Sequence, residues 1–476
     1  MNRIFCYAAI AMCQFCNHFI IALVFAGSGV VWAAPPVIPN YGAGNAVKDA
    51  QPLHRPEPRE AQEPEIVEQE TQPLTLHQGE TLMVREFRLE GVEFIPEAEL
   101  QAKLAPYQGR LLGLAEIQQA AAELTALYRS RGYLVARAYV PKQDATSGIL
   151  TIRIIVGKYG KFTLDNQSLV NSNLLLGHFA LLPEHHAVSR DDLERAMLLV
   201  DDLPGAALPT LTIRQGKLPG TSDFGISVPK DKRLSGYVLG DNLGSRFTGE
   251  YRLSGGVSVN SPLGYADQLN LRGLISDGTG LVNGNASYNF PLSDNGLRAE
   301  ISAAVTTYEL GSTFANLNAK GDAFFLQSTL TYPLIRSREE SLYLSFGLAK
   351  KILHDTVGIS GLATAREADA GTVSLRRERW GTFLGKAAYS NVTGGLTYGN
   401  LNFNDPAIKA FNRSGVNTNG DYARLNLDFF GTVSLAPLWS LNATVSLQKA
   451  LLDKIYRAIL FNVQQLCRRK GFPRDS

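Results

Sequence analysis

The chain has 476 residues, enough for several domains, and its 46 Lys and Arg residues nearly balance 44 Asp and Glu residues. This balance argues against a nucleic-acid partner, because such a partner requires a strong basic excess. The 44 glycines, 18 tyrosines and 22 phenylalanines accompany many short alternating runs, a composition that favours β structure.

Residues 1–33 have the features of a secretion signal peptide. Arg3 supplies a positive start, an apolar run extends from Phe19 to Val31, and small residues precede a cleavage point after Ala33. A membrane anchor is the alternative, but this run of about 13 residues is shorter than the roughly 20 that a spanning helix needs. Cleavage would leave Cys467 as the sole cysteine, so we predict no internal disulfide in an exported bacterial envelope protein.

Residues 34–81 are predicted to form a flexible linker. The segment is rich in Pro and Glu and poor in aromatic residues, so it cannot bury a core of its own. A binding arm is the alternative interpretation.

Residues 82–158 are predicted to form a first module with the order β-α-α-β-β. Helical spacing of apolar residues indicates helices at 96–107 and 114–129, and alternation indicates strands at 133–140 and 149–156. A short strand at 84–92 precedes them. Leu134, Ala136, Ala138 and Val140 are predicted to share one face of the strand at 133–140.

Residues 159–230 repeat this order as a second module. Strands are predicted at 161–166, 211–214 and 222–228, and a first helix at 174–182. Ser189 and Asp192 have the spacing of a capping box that opens a second helix, which Asp202-Leu-Pro-Gly205 should end. Two copies of one unit indicate a structural repeat.

Residues 231–452 are predicted to form membrane-crossing strands. About eleven runs of roughly ten residues alternate between apolar and polar side chains, which is typical of tilted strands that cross a bilayer. Lipid offers no partner to backbone groups, so such a sheet must close into a barrel. The alternative is a soluble β-sandwich, whose strands average about five or six residues.

Three motifs lie in order along these regions. The first-module motif Y-x-x-x-G-Y-x-x-A-x-A-Y-V-P-x-Q, followed by a strand that starts at a glycine, is matched by Tyr128, Gly132, Tyr133, Ala136, Ala138, Tyr139, Pro141, Gln143 and Gly148. The second-module motif L-x-x-D-L-P-G is matched by Leu199, Asp202, Leu203, Pro204 and Gly205. The barrel-entry motif D-N-x-G-S-R-x-T-G is matched by Asp241, Asn242, Gly244, Ser245, Arg246, Thr248 and Gly249. With these motifs the chain resembles the ShlB/FhaC/HecB family of two-partner secretion transporters.

The resemblance implies an α+β pair of tandem POTRA domains in the periplasm, followed by an antiparallel transmembrane β-barrel in the cell outer membrane. It implies that the POTRA domains bind one large unfolded exoprotein of haemolysin or adhesin type, which the barrel exports and activates. The implied partners are this exoprotein and outer-membrane lipid, with no nucleic acid and a monomeric transporter. A barrel-assembly factor and a secreted β-rich adhesin are the alternatives.

We predict no enzymatic activity, no cofactor and no metal site. The sequence contains no phosphate-binding G-x-x-x-x-G-K-[ST], no H-E-x-x-H and no G-x-S-x-G. The pair His185-His186 beside Glu184 is a weak candidate for a metal ligand set. The motif tyrosines are expected to pack within the first module, and Asp241 to Gly249 to form a turn at the barrel rim.

Residues 453–476 are predicted to be an atypical tail. Leu452, Ile455, Ile459, Val463 and Leu466 follow helical spacing instead of alternation. The resemblance implies about sixteen strands and a V-R-G-Y-type motif, whereas about eleven strands are predicted here without that motif. We therefore expect an incomplete barrel, shortened by a reading-frame shift near Leu452. A divergent ending with a helical plug is the alternative.

The predicted shortening has a physical consequence. Open sheet edges in lipid would leave backbone groups unpaired at several kcal/mol each. We therefore expect the shortened chain not to insert as a closed monomer and to be non-functional as an exporter.

Overall fold

A computed structural model describes most of the chain from residue 81 onward. The described residues are 43, 46–47, 50, 66–68, 81–143, 147–182, 186–218, 220–415, 417–436, 439–452 and 462–469. The predicted signal peptide lies outside the described residues, as does most of the predicted linker. Within the linker, however, Ile66–Glu68 forms a strand, β1, which was not predicted.

The first module has the predicted element order with two additional strands. Its elements are β2 Thr81–Val84, β3 Glu86–Glu90, α1 Glu97–Leu104, a 3-10 turn Ala105–Tyr107, β4 Arg110–Gly113, α2 Leu114–Ser130, β5 Arg137–Tyr139 and β6 Ile149–Ile155. The sheet order is β3-β6-β5, while the two additional strands, β2 and β4, pair with each other. Buried residues of α2 and β6 at their expected periodicities form the core of this module.

The predicted strand at 133–140 is wrong over much of its length. Only Arg137–Tyr139 pairs with β6, and the preceding residues form turns. Leu134 does not share the core of Ala136 and Ala138, because it lies in the core cluster of the second module. Alternation of apolar residues could not show that two neighbouring side chains enter two different cores.

The second module repeats the order without the two additional strands. Its elements are β7 Lys158–Asn166, α3 Ser172–Ala180, α4 Arg190–Asp201, β8 Thr210–Gln215 and β9 Thr221–Val228. Strand β1 from the linker extends the sheet to the order β1-β8-β9-β7. Only half of the predicted capping box is present. The Ser189 hydroxyl accepts from Asp192 N, while Ser189 N donates to the Tyr159 hydroxyl at 3.1 Å.

A single antiparallel sheet of twelve strands follows. The strands are β10 Leu234–Asp241, β11 Arg252–Asn260, β12 Gln268–Ser276, β13 Leu281–Pro291, β14 Arg298–Glu309, β15 Ala319–Arg336, β16 Glu340–Val357, β17 Leu362–Phe383, β18 Lys386–Phe403, β19 Gly420–Ala436, β20 Trp439–Ala450 and β21 Asn462–Arg469. A helix, α5 Pro406–Ser414, lies between β18 and β19. Each strand pairs with the next, and no pairing in the described chain joins β10 to β21.

The two faces of this sheet differ in polarity. Leu344, Phe346 and Leu348 on β16 are exposed on the apolar face, while Tyr343 and Ser345 alternate with them on the polar face. Strands β15 to β19 are 17–22 residues long, roughly twice the predicted length. A tilted strand needs about 9–11 residues to cross a bilayer, so these strands extend beyond it. No helix among the described residues is long and apolar enough to cross a membrane.

The predicted fold class, tandem POTRA modules before an antiparallel sheet of membrane-crossing strands, is confirmed. Eleven strands lie between Leu234 and Ala450, as predicted. The helical spacing assigned to the tail is wrong at Asn462–Arg469, which pairs with β20 as a twelfth strand. The exposed edge of β20 offers unpaired backbone N–H and C=O groups. Pairing with these groups favours a strand over the helix that the weak apolar periodicity had indicated.

Candidate functional site

Two tyrosines of the first-module motif, Tyr128 and Tyr133, pack inside that module. Tyr128 is fully buried, and its hydroxyl donates to the Glu93 carbonyl at 2.8 Å. Its ring meets the edge of Tyr133 at a centroid distance of 6.0 Å, and Tyr133 stacks on Phe94 at 5.0 Å. Burial raises the pKa of Tyr128 above its usual value. These rings therefore fasten the end of α2 to the loop before α1.

The end of this motif seals part of a strand edge. Tyr139 is the last residue of β5 to pair with β6, and Pro141 follows without a backbone N–H. The side-chain amide of Gln143 then takes the place of a peptide group. Its Nε2 donates to Thr151 O at 2.7 Å, and its Oε1 accepts from Thr151 N at 2.8 Å. Gln143 thus satisfies the β6 backbone beyond the end of β5.

Gly132 and Leu134 join the two modules. Gly132 has a φ of +93°, a conformation that glycine adopts at little cost, and its carbonyl accepts from Arg190 N at 2.9 Å. Arg190 is the first residue of α4, so the first module satisfies one donor at the start of a second-module helix. Leu134 packs in the second core. This stretch is therefore an intermodule joint.

The second-module motif forms the end of α4 and the turn after it. Helix α4 ends at Asp201, and Leu203 is buried in the second core. Gly205 has a φ of +97°, and a Cβ there would lie 2.9 Å from the Cβ atoms of Leu169 and Ser261. A side chain at position 205 would therefore meet both conformational strain and close contacts. Pro204 occupies the turn before Gly205.

Asp202 of this motif binds the twelve-stranded sheet. Its carboxylate forms a bidentate pair with Arg336, with Oδ2–Nε at 2.7 Å and Oδ1–Nη2 at 2.8 Å. Glu194 accepts from Arg338 N at 2.9 Å, and Arg195 Nη2 donates to Pro333 O at 2.8 Å. We call Asp202, Glu194, Arg195, Arg336 and Arg338 the docking latch. It holds α4 against the end of β15 and the turn that follows.

The barrel-entry motif lies at the opposite end of the strands from the docking latch. Asp241 Oδ1 accepts from Arg252 Nε at 2.8 Å and from Leu243 N at 2.9 Å. Gly249 has a φ of +107° and lies against Asp277, so a side chain there would collide with the next loop. Gly244 is similarly close to Gly249 O, while Asn242 is exposed. The motif is a packed turn that joins neighbouring loops at the rim.

Sequence reasoning missed the linker strand and the partners of the docking latch. Strand β1 pairs in parallel with β8, with Ile66 opposite Leu211 and Glu68 opposite Ile213. Arg336 ends β15 and Arg338 lies in the turn that follows, and a short segment with charges of both signs gave no indication of a partner more than a hundred residues away. Only the tertiary arrangement shows that they face α4.

The described residues contain no group of three His, Cys, Asp or Glu side chains suited to a metal ion. Glu184 and His185 lie outside the described residues, whereas His186 accepts through its backbone carbonyl from Tyr159 N at 3.0 Å. The geometry therefore brings together packing and docking contacts instead of a set of reactive groups.

Comparisons with known proteins match the same regions. The ShlB-type POTRA domain model matches residues 82–157, and the model of the haemolysin secretion/activation protein ShlB/FhaC/HecB matches residues 220–392. The heme/hemopexin transporter protein HuxB of Haemophilus influenzae (strain 86-028NP) is 29% identical over 306 residues, which make up 64% of this chain and 52% of that protein.

Two further relatives are CdiB proteins. The outer membrane transporter CdiB of Dickeya dadantii (strain 3937) is 28% identical over 40% of this chain and 33% of its own. The solved structure of CdiB from Escherichia coli has a TM-score of 0.58 at 18% identity, covers 88% of this chain and 77% of its own, and shows a shared fold. The chain spans about half the length, or less, of the curated relatives it matches.

POTRA modules followed by a meander of long amphipathic strands define the class of POTRA-plus-barrel outer-membrane proteins. Within that class, the chain belongs to the ShlB/FhaC/HecB family. The resemblance drawn from the three motifs is thereby confirmed, as is the predicted location in the cell outer membrane with periplasmic POTRA domains. The roles of the individual motif residues stay predictions.

Proposed function

We propose that this chain, when its sheet is completed to a closed barrel, acts in two-partner secretion, binding an unfolded exoprotein through its POTRA domains and passing it along the polar face of the sheet to the cell exterior. Family membership carries the proposal, since the family is one of transporters. HuxB and CdiB are named as transporters, and the proposal extends that role to this chain. The role requires no catalytic reaction and no cofactor.

The strand edges of the two modules suggest where an extended chain would bind. A strand at the end of a sheet offers unpaired N–H and C=O groups, to which an unfolded segment can add as a further strand. In the first module β5 has only three residues, and the adjoining part of β6 is satisfied by Gln143. In the second module β7 is an end strand of nine residues.

The β7 edge offers the longer site. Beyond a short contact of Lys158 and Tyr159 with residues 186–187, the described residues of β7 pair as a strand only with β9. The opposite edge of the same sheet is occupied by β1 of the linker. We therefore infer that the exoprotein adds to β7, and that the β8 edge accepts it only after β1 has left. We propose that each transporter is a monomer in the outer-membrane lipid and binds one exoprotein.

Deletion of residues 82–229 from an intact version, with a complete barrel, tests the proposal in cells that produce the partner exoprotein. We expect the partner to accumulate in the periplasm, because no POTRA domain remains to bind it. A matched control replaces Glu99 with Gln, which removes only an exposed ion pair with Arg131. Normal amounts of partner in the medium after the deletion would show that the POTRA domains do not capture it.

A further inference from the structure

A polar cavity lies where the second module meets the twelve-stranded sheet. Its volume is about 540 Å³, and it lies beside the docking latch. The second module contributes His178 from α3 and Asp202 from the end of α4, and the sheet contributes Asn289, Arg298 and Glu300 from β13 and β14. The cavity therefore opens on the polar face, at the periplasmic end of the strands.

Two nitrogen-bearing side chains in this cavity have hydrogen-bonding capacity left over. His178 is 2% exposed, and neither ring nitrogen has a hydrogen-bond partner of normal geometry, although the ring lies beside the backbone of Asp294. Arg298 Nη1 is buried without a partner. Buried polar groups in folded proteins nearly always have partners, so two groups with unused hydrogen-bonding capacity at one cavity favour the binding of a polar ligand there.

Arg298 makes its hydrogen bonds to neutral acceptors, whereas the carboxylates of Asp202 and Asp267 favour its charge from a distance. Its Nε donates to Asn289 Oδ1 at 2.7 Å and its Nη2 to Ala266 O at 2.9 Å, and both acceptors are neutral. Asp202, the acid of the second module that lines the cavity, is already paired with Arg336. A buried guanidinium without a counterion is costly, and a carboxylate is the partner that fits its planar donors.

We propose that this cavity is a binding site for a carboxylate, held by Arg298 Nη1 and by the imidazole of His178. The site itself does not depend on the export function. That the carboxylate belongs to an Asp or Glu side chain of the passing exoprotein does rest on the proposed function, because the cavity lies where an exported chain would reach the sheet. Glu300 lines the same cavity and opposes an anion by like charge.

Proton binding to His178 should couple to carboxylate binding. Burial lowers the pKa of His178, while Asp294 and Asp202 favour its protonation and Arg298 opposes it. A bound carboxylate adds a negative charge, so it raises this pKa. By linkage, the carboxylate then binds more tightly at about pH 6 than at about pH 8. A purely structural His178 would show no such coupling.

The test is a titration of the full chain in detergent with sodium acetate, followed through the side-chain resonances of 15N-labelled histidine. The His178 signals are assigned by their loss in His178→Gln. We expect a saturable shift of these signals, with an affinity that falls about tenfold or more in Arg298→Gln, since a charge-assisted hydrogen bond is lost. Glu300→Gln should bind acetate more tightly, and Arg214→Gln, an exposed arginine outside the cavity, should bind as the unchanged protein does.

The titration of the unchanged protein tests whether the carboxylate site exists, even if a variant fails to fold. Absence of a saturable His178 shift at about 100 mM acetate, well above the millimolar range of weak sites, would mean that water alone fills the cavity and would overturn the proposal. An unchanged affinity in a folded Arg298→Gln would overturn it equally. A short peptide that contains Asp and Glu, compared with the same peptide in which Asn and Gln replace them, then tests whether the bound carboxylate comes from the exoprotein. Binding of acetate without preference for the acidic peptide would overturn the exoprotein as the source and leave the proposed export function untouched.

Discussion

The two POTRA modules share one order of elements and differ in what meets their sheet edges. In the first module, Gln143 satisfies the backbone of β6 and aromatic residues fasten the end of α2. In the second, β1 covers one edge, β7 leaves the other open, and α4 is held by the docking latch. The fold alone therefore does not assign a role to a module, because that role depends on the elements that meet the edges of its sheet.

The most recognisable motif of the chain also lies where the two modules meet. The stretch from Tyr128 to Gln143 contains no group suited to chemistry, and its residues pack, turn and seal a strand. Leu134 reaches the second core from within it. We interpret the motif as the joint that fixes the modules to each other, so that β7 and the docking latch keep a set position relative to the first module.

Replacement of Leu134 with Ala is expected to give the largest effect. The side chain is buried in the second core although it belongs to the first module, and large-to-small core substitutions cost about 2–5 kcal/mol. We therefore expect amides of β8 and β9 to lose hydrogen-exchange protection in a fragment of residues 81–229. Leu127→Ala, which removes a contact with the first core, is the matched control. Unchanged protection in the second module would show that the joint does not couple the two cores.

Replacement of Arg336 with Ala breaks the docking latch and should have the next largest effect. Loss of one partner from a buried pair costs about 3–5 kcal/mol. Because the Asp202 side chain is 31% exposed, water offsets part of this cost, and we expect a loss of about 2 kcal/mol. The loss should appear as faster hydrogen exchange in α4 of the full chain in detergent. Arg131→Ala removes the exposed pair with Glu99 and should cost less than about 1 kcal/mol. Equal effects of the two variants would contradict a docked second module.

Replacement of Gly132 with Val should have a smaller effect. A Cβ at this position meets nothing within 4 Å, so the cost comes from the positive φ alone and is about 1 kcal/mol or more. Gly132→Asn should cost less, since asparagine tolerates this conformation better than valine. Pro204→Ala should also be milder. Equal melting temperatures of Gly132→Val and the unchanged fragment would remove the role assigned to this glycine.

The order of elements could be predicted from the sequence because it depends on local patterns. Periodicity predicted a helix at 114–129, and α2 extends over Leu114–Ser130. The turn from Asp202 to Gly205 follows α4, where Pro and Gly indicate a stop. The alternating strands of the sheet were predicted for the same reason. Their extension to 17–22 residues was not, since the polar ends outside a bilayer carry no regular apolar face.

The parts that escaped prediction all depend on distant partners. The pairing of β1 with β8, the reach of Leu134 into a second core and the bond between Asp202 and Arg336 join residues far apart in the chain. His178 gave no signal, since a lone histidine on an apolar helix is usually a core residue. Its importance lies in ring nitrogens that make no hydrogen bond of normal geometry, at a cavity that two regions of the chain build together.

Site-specific photocrosslinking can show whether the exoprotein adds to the open edge of the second module. A photoreactive residue replaces Thr163 on β7 in one variant and Thr212 on β8 in another, in cells that produce the exoprotein. We predict crosslinks to the exoprotein from position 163 and few or none from position 212, where β1 already pairs. Crosslinks that are equal at both positions, or stronger from position 212, would contradict the account.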